Sequence, residues 1–257
     1  MYDILIIGAG PAGISAGIYA VSRGKRALIL EKGQVGGIIG KVSTVTHYTA
    51  IEPQETGATF AARMKEQALR AGVEIVYADV TAVTLTGEVK TVITDKGTYE
   101  AKRIILANGG TPRKLGIPGE EELSGKGMGM NAARDGAAYT GKNVYVVGGA
   151  DGAVKEALYL ASFAKHLTII HFEDQLGCIA EFRQKVAAAG NISLRLASRL
   201  HAVYGQDQVE RLEIASEHDG RIETVEDPGC GIFVYAGVTP NTELYTELPL
   251  EDGYIPT

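Results

Sequence analysis

Three glycines near the start of the chain have the spacing of a dinucleotide-binding turn. Gly8, Gly10 and Gly13 follow an apolar stretch and open a helical pattern. In that setting the first glycine permits a tight turn, the second lets backbone N–H groups approach a pyrophosphate, and the third allows close packing of helix on strand. Glu31 lies 23 residues after Gly8, behind a second apolar stretch, where a carboxylate can accept hydrogen bonds from ribose hydroxyls. These residues predict a dinucleotide site.

A second glycine-rich turn, at residues 148–152, matches this pattern less well. Ala150 and Ala153 stand where the first turn has its second and third glycines, and His171 stands where it has its carboxylate. A methyl group at position 150 narrows the approach to phosphate, although the neighbouring glycines keep the turn flexible. Two alternatives stay open: a second dinucleotide site, or a domain of the same fold that binds dinucleotides poorly or not at all.

The elements that must position these residues form an internal repeat. The segment from Asp3 aligns without a gap on the segment from Asn143, a shift of 140 residues that holds for thirty positions. Each copy contains a short apolar strand, a glycine-rich turn, an amphipathic helix and a second apolar strand, so each predicts a βαβ unit. Between them we expect a helix from Ala58 and β-strands between Val73 and Ile105 with a turn at Gly87.

Composition narrows the classes of partner. The 257 residues carry a formal charge of -6 without a basic run, which argues against nucleic acid and anionic lipid as partners. The apolar runs are too short for a membrane span, and no signal peptide is expected. The two cysteines, Cys178 and Cys230, are too few and too far apart for a disulfide framework or a metal site, so we expect a cytoplasmic protein without a metal.

Longer motifs show what the chain resembles. The first turn reads GAGPAG from Gly8, a glycine doublet follows at residues 36–37, and Ala-Asn-Gly stands at residues 107–109. TPRKLGIPGEEELSGKG from Thr111 and FVYAGVTPNTEL from Phe233 flank GGADGAVKEALYL from Gly148. In this order the motifs resemble those of the thioredoxin reductase family of FAD-dependent pyridine nucleotide oxidoreductases, from Met1 to the last residue.

The resemblance implies an α/β fold with two Rossmann-like, three-layer ββα nucleotide domains, the second inserted into the first. The FAD domain would comprise residues 1–112 and 243–257, with its C-terminal part incomplete, and a nucleotide domain would comprise residues 113–242. The protein is expected to be a homodimer. FAD would be bordered by Gly8, Ala9, Gly10, Pro11, Ala12, Gly13, Glu31, Lys32, Gly36, Gly37, Ile38, His47, Val80, Ala107, Asn108 and Gly109. A nicotinamide coenzyme would be bordered by Gly148, Gly149, Ala150, Asp151, Gly152 and His171.

The first departure from the family concerns its redox-active Cys-Ala-Thr-Cys-Asp-Gly. Counted back without a gap from Gly148, this hexapeptide is replaced by Asn-Ala-Ala-Arg-Asp-Gly, with Asn131 and Arg134 in the places of the cysteines. A dithiol relay needs an attacking thiolate and a resolving sulfur, and an amide and a guanidinium supply neither. No catalytic residue is therefore identified. Asp135 keeps the place of the family's acid, but without thiols to protonate we expect it to stabilise a turn.

The second departure concerns the coenzyme. The family members that use NADPH carry His-Arg-Arg after the second strand, and this chain has His171, Phe172 and Glu173. No arginine remains there to bind a 2′-phosphate, and a carboxylate would repel it. The sequence predicts that NADH is used at least ~30-fold better than NADPH, equivalent to ~2 kcal/mol. The alternative is that neither coenzyme binds and that a protein such as a ferredoxin donates the electrons.

The third departure is the end of the sequence, since the family continues into a segment that holds the flavin. The sequence is a truncation, or the tail is absent for another reason, or only the adenosine half of FAD is bound well, and these three alternatives stay open.

For function, we expect an FAD-dependent oxidoreductase that passes electrons between NADH and an acceptor other than thioredoxin. The alternative is a binding or regulatory protein that keeps the fold and has lost turnover.

Overall fold

The computed structural model describes residues 1–256, which divide into two compact units. Within the described residues, unit 1 consists of Met1–Thr111 and residues 238–256, and unit 2 of Pro112–Gly237. The first boundary lies one residue from the predicted one, but the second lies at residue 237 rather than 242. The reason is that Val238–Pro240 pairs as a strand with Gly110–Pro112, and the backbone N–H of Asn241 then donates to the carbonyl of Gly109 at 3.0 Å.

Unit 1 contains a six-stranded sheet with two helices on one face. Its elements are β1 (Tyr2–Ile7), α1 (Pro11–Ser22), β2 (Ala27–Glu31), α2 (Gly57–Arg70), β3 (Glu74–Tyr77), β4 (Val80–Thr84), β5 (Lys90–Thr94), β6 (Gly97–Leu106) and β7 (Gly110–Pro112), with a 3-10 helix at Ile39–Lys41. The strand order is β3-β2-β1-β6-β5-β4, in which β1 is parallel to both β2 and β6, and β5 is antiparallel to its neighbours. The predicted helix from Ala58 and the strands around Gly87 are therefore present.

Alternation along β1 sends its side chains into two apolar clusters. Ile6 packs with Ile14 of α1 and Met64 of α2 on the helical face of the sheet. Leu5 packs on the opposite face with a cluster that includes Tyr245. A strand buried on both faces explains why the sequence there is a continuous apolar run. The strand that leads into the glycine-rich turn is thus packed on both of its faces.

Unit 2 has three layers. Its elements are α3 (Ala132–Asp135), β8 (Asn143–Val147), α4 (Asp151–Ala161), β9 (His166–Ile170), α5 (Ala180–Ala188), β10 (Ile192–Arg195), β11 (Ser198–Tyr204), β12 (Arg211–Ser216), β13 (Ile222–Glu226) and β14 (Gly231–Val234), with a 3-10 helix at Gly136–Tyr139. The closing strand of the chain is β15 (Val238–Pro240), which belongs to unit 1. The parallel sheet β10-β9-β8-β14 packs on α4 and α5 through one face and on the antiparallel sheet β11-β12-β13 through the other.

The internal repeat is present in both units. β1, α1 and β2 form one βαβ unit, and β8, α4 and β9 form the other, each with parallel strands in register. No helix within residues 1–256 is long and apolar enough to cross a membrane. Each βαβ unit places its glycine-rich turn at the carboxyl edge of its parallel strands, where ligands bind in open α/β sheets.

Candidate functional site

The turn after β1 requires two of its three glycines for steric reasons. Gly8 has a φ of 101°, and a Cβ there would lie 2.4 Å from the carbonyl oxygen of Ala107. A Cβ at Gly13 would lie 1.9 Å from the carbonyl oxygen of Gly8. Gly10 differs, because a Cβ built there meets no heavy atom within 4 Å. The first and third glycines therefore close the turn, while the second faces open space in which a phosphate could lie.

Glu31 ends β2 with its carboxylate fixed beside this turn. Oε2 accepts a hydrogen bond from the Ala9 N–H at 2.8 Å, and Oε1 accepts one from the Gly33 N–H at 2.7 Å. A carboxylate has about four acceptor positions, so two oxygens that each accept one bond can still receive ribose hydroxyls. The predicted ribose acceptor is thus preorganised by the backbone of the turn itself.

The other residues predicted to border FAD lie at varying distance from this turn. Pro11 and Ala12 form the first turn of α1. Gly36 donates from its N–H to the Ala9 carbonyl at 2.9 Å, and a Cβ at Gly37 would lie 3.6 Å from the Cα of Gly10. The glycine doublet therefore packs against the phosphate turn.

Four further residues that were predicted to border FAD lie outside the turn itself. Val80 begins β4, two residues after Ala78, whose N–H donates to the Glu31 carbonyl at 2.9 Å. Ile38 is exposed, Lys32 follows the end of β2, and His47 has a left-handed φ of 59°. The roles of these four residues at the FAD site stay predictions.

A partly buried hydrogen-bond network at Asn108 was not predicted from the sequence. The Asn108 Nδ2 donates to the carbonyl of Asn241 at 2.5 Å, and Asn241 Nδ2 donates back to the carbonyl of Asn108 at 2.9 Å. The hydroxyl of Tyr245, a fully buried residue, donates to Asn108 Oδ1 at 2.7 Å. Burial raises the pKa of Tyr245 to about 12, with a smaller contribution from Glu243. The network fixes Ala107 and Asn108 against Gly8. No local pattern could reveal it, because its members lie 133 and 137 residues apart.

The turn of unit 2 resembles the first turn at its start. Gly148 has a φ of 130°, and a Cβ there would lie 2.4 Å from the Tyr235 carbonyl oxygen. Ala150 is the N-cap of α4 in an extended conformation, and a Cβ at Gly152 would meet no heavy atom within 4 Å. Asp151 Oδ1 accepts a hydrogen bond from the Ile179 N–H at 2.7 Å. The N-terminus of α4 is therefore open at Gly152, and Asp151 joins it by a hydrogen bond to the loop between β9 and α5.

His171 occupies the place that Glu31 has in unit 1. A Cβ at Gly149 would lie 2.4 Å from the Cγ of His171, so the imidazole packs directly on the turn. Its Nε2 lies 3.0 Å from Oε2 of Glu173. Within residues 1–256, its buried Nδ1 has no hydrogen-bond partner. The carboxylate predicted to repel a 2′-phosphate is thus held by the ring beside the turn.

The fold places a positively charged side chain beside the segment that follows β9, and this side chain was not predicted from the sequence. The guanidinium carbon of Arg199, on β11, lies 4.6 Å from the centroid of the half-exposed Phe172 ring. Its Nε donates to Oε1 of Glu217 at 2.7 Å. Arg199 is 28 residues after His171, so only the fold reveals its position.

The segment that replaces the family's dithiol is a closed turn. Asn131 caps α3 by accepting the Arg134 N–H on Oδ1 at 2.9 Å, and its own N–H donates to Asp135 Oδ2 at 2.7 Å. Arg134 donates from Nε and Nη2 to the two oxygens of Asp135 at 2.7 and 2.8 Å. These bonds from the Arg134 guanidinium hold the pKa of the Asp135 carboxyl below its ordinary value. An ionised, bidentately paired carboxylate has no proton to give at neutral pH.

Both cysteines are buried and free. Cys178 is 4% exposed and follows the loop after β9, and Cys230 is 1% exposed just before β14. Burial raises the pKa of both thiols, that of Cys230 to about 12. A thiol with a raised pKa carries little thiolate, the form that attacks disulfides. Within residues 1–256, no group of three His, Cys, Asp or Glu side chains has the arrangement of a metal site.

Known proteins resemble this chain in both sequence and fold. The family described as pyridine nucleotide-disulphide oxidoreductase matches residues 2–257. A thioredoxin reductase of Peptoclostridium acidaminophilum is 35% identical over 263 residues, which cover 100% of this chain and 84% of the relative. The crystal structure of Lactococcus lactis thioredoxin reductase in its FR conformation has a TM-score of 0.94 at 33% identity, covering 99% of this chain and 84% of the other. For T. acidophilum thioredoxin reductase the TM-score is 0.92 at 27% identity, with coverage of 99% and 84%. These matches confirm the predicted resemblance and fold class.

Proposed function

Because the chain belongs to the pyridine nucleotide-disulphide oxidoreductase family, we propose that it is an FAD-dependent oxidoreductase that passes electrons between NADH and an acceptor other than thioredoxin. The family assignment supports FAD and a pyridine nucleotide as cofactors. In unit 1, the open space at Gly10 and the carboxylate of Glu31 suit the pyrophosphate and ribose of FAD. When bound, FAD would supply the redox chemistry, while the protein binds and orients it.

The observation that carries this proposal is the closed turn at Asn131–Asp135. An amide and a paired guanidinium stand where a relay would need two sulfurs. Neither remaining thiol is a substitute, because Cys178 and Cys230 are buried and lie 52 residues apart. Relatives that carry the name thioredoxin reductase support the fold and the cofactors, and the missing thiols argue for a different acceptor.

The coenzyme proposal depends on the edge of the sheet after β9. Glu173 lies within hydrogen-bond distance of His171, and Asp174 Oδ1 lies 3.2 Å from Nε2 of His218. Two carboxylates at this edge oppose the dianionic 2′-phosphate of NADPH and tolerate the ribose hydroxyl of NADH. We therefore propose NADH as the coenzyme. By the resemblance, we also propose a homodimer, which light scattering of the purified protein would test.

The experiment that tests the function begins with purified protein saturated with FAD. Anaerobic titration with NADH should reduce the flavin, and NADPH should be at least ~30-fold less effective, equivalent to ~2 kcal/mol. Addition of thioredoxin and a disulfide substrate should then give no disulfide reduction. The Cys178→Ala, Cys230→Ala double variant is the matched control, since thioredoxin reduction lost in it would locate a thiol relay that the proposal denies.

Each contrary outcome has a distinct meaning. Disulfide reduction at a rate normal for the family would refute the proposed acceptor. A flavin that neither nucleotide reduces would favour a protein donor such as a ferredoxin. A protein that takes up no FAD would refute the enzyme proposal and favour a binding or regulatory protein of the same fold.

A further inference from the structure

Two arginine–glutamate ion pairs of unit 2 each involve a residue of the antiparallel sheet β11-β12-β13. One joins Arg199 of β11 to Glu217, and the other joins Arg195 of β10 to Glu223 of β13 at 2.9 Å. We infer that the Arg199–Glu217 pair determines the coenzyme preference of unit 2, with Glu217 withholding from the ribose site a guanidinium that would otherwise bind a 2′-phosphate. This inference rests on the proposed function, because it assumes that unit 2 binds a nicotinamide coenzyme.

The backbone around His171 fixes where the pair lies. The N–H of Ser198 donates to the His171 carbonyl at 2.9 Å, and the N–H of Ala197 donates to the Glu173 carbonyl at 2.9 Å. The N–H of Glu217 in turn donates to the Ala197 carbonyl at 2.7 Å. Ser198, the residue before Arg199, is therefore bonded directly to the segment that follows β9, and Glu217 is bonded to Ala197, which itself bonds to that segment. This segment is where Rossmann-type domains place the residue that reads the 2′ position of the ribose.

The ring of Phe172 supports the guanidinium at this place. Arg199 lies over the ring at 4.6 Å from its centroid, a cation–π geometry, and His171 contacts the ring edge with centroids 4.9 Å apart. Phe172 is the first residue after His171 and is 48% exposed. The arginine is thus held at the ribose edge by a stacking contact that does not consume its N–H donors. A guanidinium has five such donors and binds phosphate bidentately when they are available.

Glu217 opposes phosphate binding in two ways. It accepts the Nε–H of Arg199 at 2.7 Å, and its negative charge cancels the charge that would attract a phosphate. Glu173 and Asp174 add negative charge from the neighbouring loop, while His218 faces Asp174. A ribose hydroxyl is neutral, so this arrangement affects it little. The ion pair therefore penalises NADP⁺ much more than NAD⁺.

The test measures coenzyme binding, with Glu217→Gln as the central variant. Glutamine has the shape of glutamate and leaves the main-chain bond at position 217 intact, but it removes the charge. NAD⁺ and NADP⁺ are titrated by calorimetry into the FAD-saturated, oxidised protein, in which no electron transfer occurs. In Glu217→Gln, the affinity for NADP⁺ should rise about tenfold, equivalent to ~1.4 kcal/mol. The affinity for NAD⁺ should stay within about twofold.

Two further variants identify the cause. Glu223→Gln makes the same charge change in the Arg195 pair, and among the cation–π contacts of residues 1–256 none involves Arg195, so it should leave NADP⁺ affinity within about twofold. Adding Arg199→Gln to Glu217→Gln should abolish the gain. The gain should also shrink as salt is raised, since screening weakens an exposed charge contact, whereas a purely structural effect would not follow salt.

Several outcomes would overturn the inference. These are an unchanged NADP⁺ affinity in Glu217→Gln, an equal gain in Glu223→Gln, and a gain that persists without Arg199. If NAD⁺ binds the wild type while any of these holds, the proposed coenzyme stands and only the inference fails. If the wild type binds neither nucleotide but Glu217→Gln binds NADP⁺, the inference stands and the proposed coenzyme fails. Binding of neither nucleotide to either protein overturns both.

Discussion

Gly10 and Gly13 lie three residues apart in the turn of unit 1, yet the space around them differs completely. A Cβ at Gly13 would lie 1.9 Å from the Gly8 carbonyl oxygen, which is far inside contact distance. A Cβ at Gly10 would meet no protein atom within 4 Å. We therefore expect Gly13→Ala to damage the fold and Gly10→Ala to damage FAD binding alone. The difference between these two effects tests whether the open space at Gly10 holds the pyrophosphate of FAD.

The magnitudes follow from these contacts. At Gly13 the backbone must move to accept the methyl group, and overpacking of this kind costs ~1 to 3 kcal/mol or more. At Gly10 the φ of −69° and ψ of −179° suit alanine, so lower unfolded-state entropy roughly offsets the poorer N-cap, and stability should change by less than ~1 kcal/mol. Losing one or two charge-assisted hydrogen bonds to phosphate, at ~1.5 to 3 kcal/mol each, should weaken FAD binding at least tenfold.

The assay combines two measurements on each variant. Urea unfolding of the FAD-free protein gives the free energy of unfolding, and titration with FAD gives the dissociation constant. Gly152→Ala is the matched control, because its Cβ also meets no atom within 4 Å but lies in unit 2. It should leave the FAD dissociation constant unchanged and stabilise the fold by no more than ~1 kcal/mol, the helix preference of alanine over glycine. An FAD affinity of Gly10→Ala within twofold of the wild type would refute the argument, and so would a Gly13→Ala protein of normal stability.

Three further predictions concern individual side chains. Asp135→Asn should lower the free energy of unfolding by ~1 to 3 kcal/mol at neutral pH without affecting flavin reduction. Because the folded-state pKa of Asp135 is lowered, this difference should be present above the unfolded-state pKa of about 3.9 and vanish in urea titrations as pH falls through the lower folded-state pKa. Replacing Cys178 and Cys230 by alanine should leave flavin content and NADH-driven reduction within a few-fold of the wild type, and loss of reduction in a folded variant would contradict this. Tyr245→Phe should destabilise the protein by ~1 to 3 kcal/mol, measured by urea unfolding, because Asn108 Oδ1 loses its donor, and a neutral substitution would show that the network adds no stability.

Local patterns in the sequence predicted the parts of the site that depend on neighbours in the chain. The glycine spacing after β1 and the carboxylate that ends β2 lie within about thirty residues of each other, and each copy of the βαβ repeat is equally short. The structure adds why the glycines are needed, since Gly8 and Gly13 face main-chain oxygens. Boundaries of the units were predicted less well, because the pairing of Val238–Pro240 with Gly110–Pro112 depends on segments far apart in sequence.

Contacts between distant segments could not be predicted in the same way. Asn241 contacts Asn108 across 133 residues, and Arg199 reaches Phe172 from a strand of a different sheet. Polar residues at these positions have no periodicity that distinguishes them from ordinary surface residues. The charges near His171 in the sequence therefore do not include Arg199, which the fold brings to Phe172.

The two copies of the repeat differ at a pair of positions that contact each other. In unit 1 the second residue of the turn is Ala9, whose N–H donates to the carboxylate of Glu31. In unit 2 the equivalent residues are Gly149 and His171, and the imidazole lies where any side chain at 149 would collide with it. Ala9 is compatible with the carboxylate of Glu31, whereas the ring of His171 requires a glycine at position 149. The residues at these two positions therefore match within each unit and cannot be exchanged singly between units. Exchanging only His171 for glutamate would therefore remove the ring that packs on Gly149. The proposed NADH site of unit 2 therefore assigns coenzyme recognition to the groups that surround the ring, namely Glu173 and the Arg199–Glu217 pair.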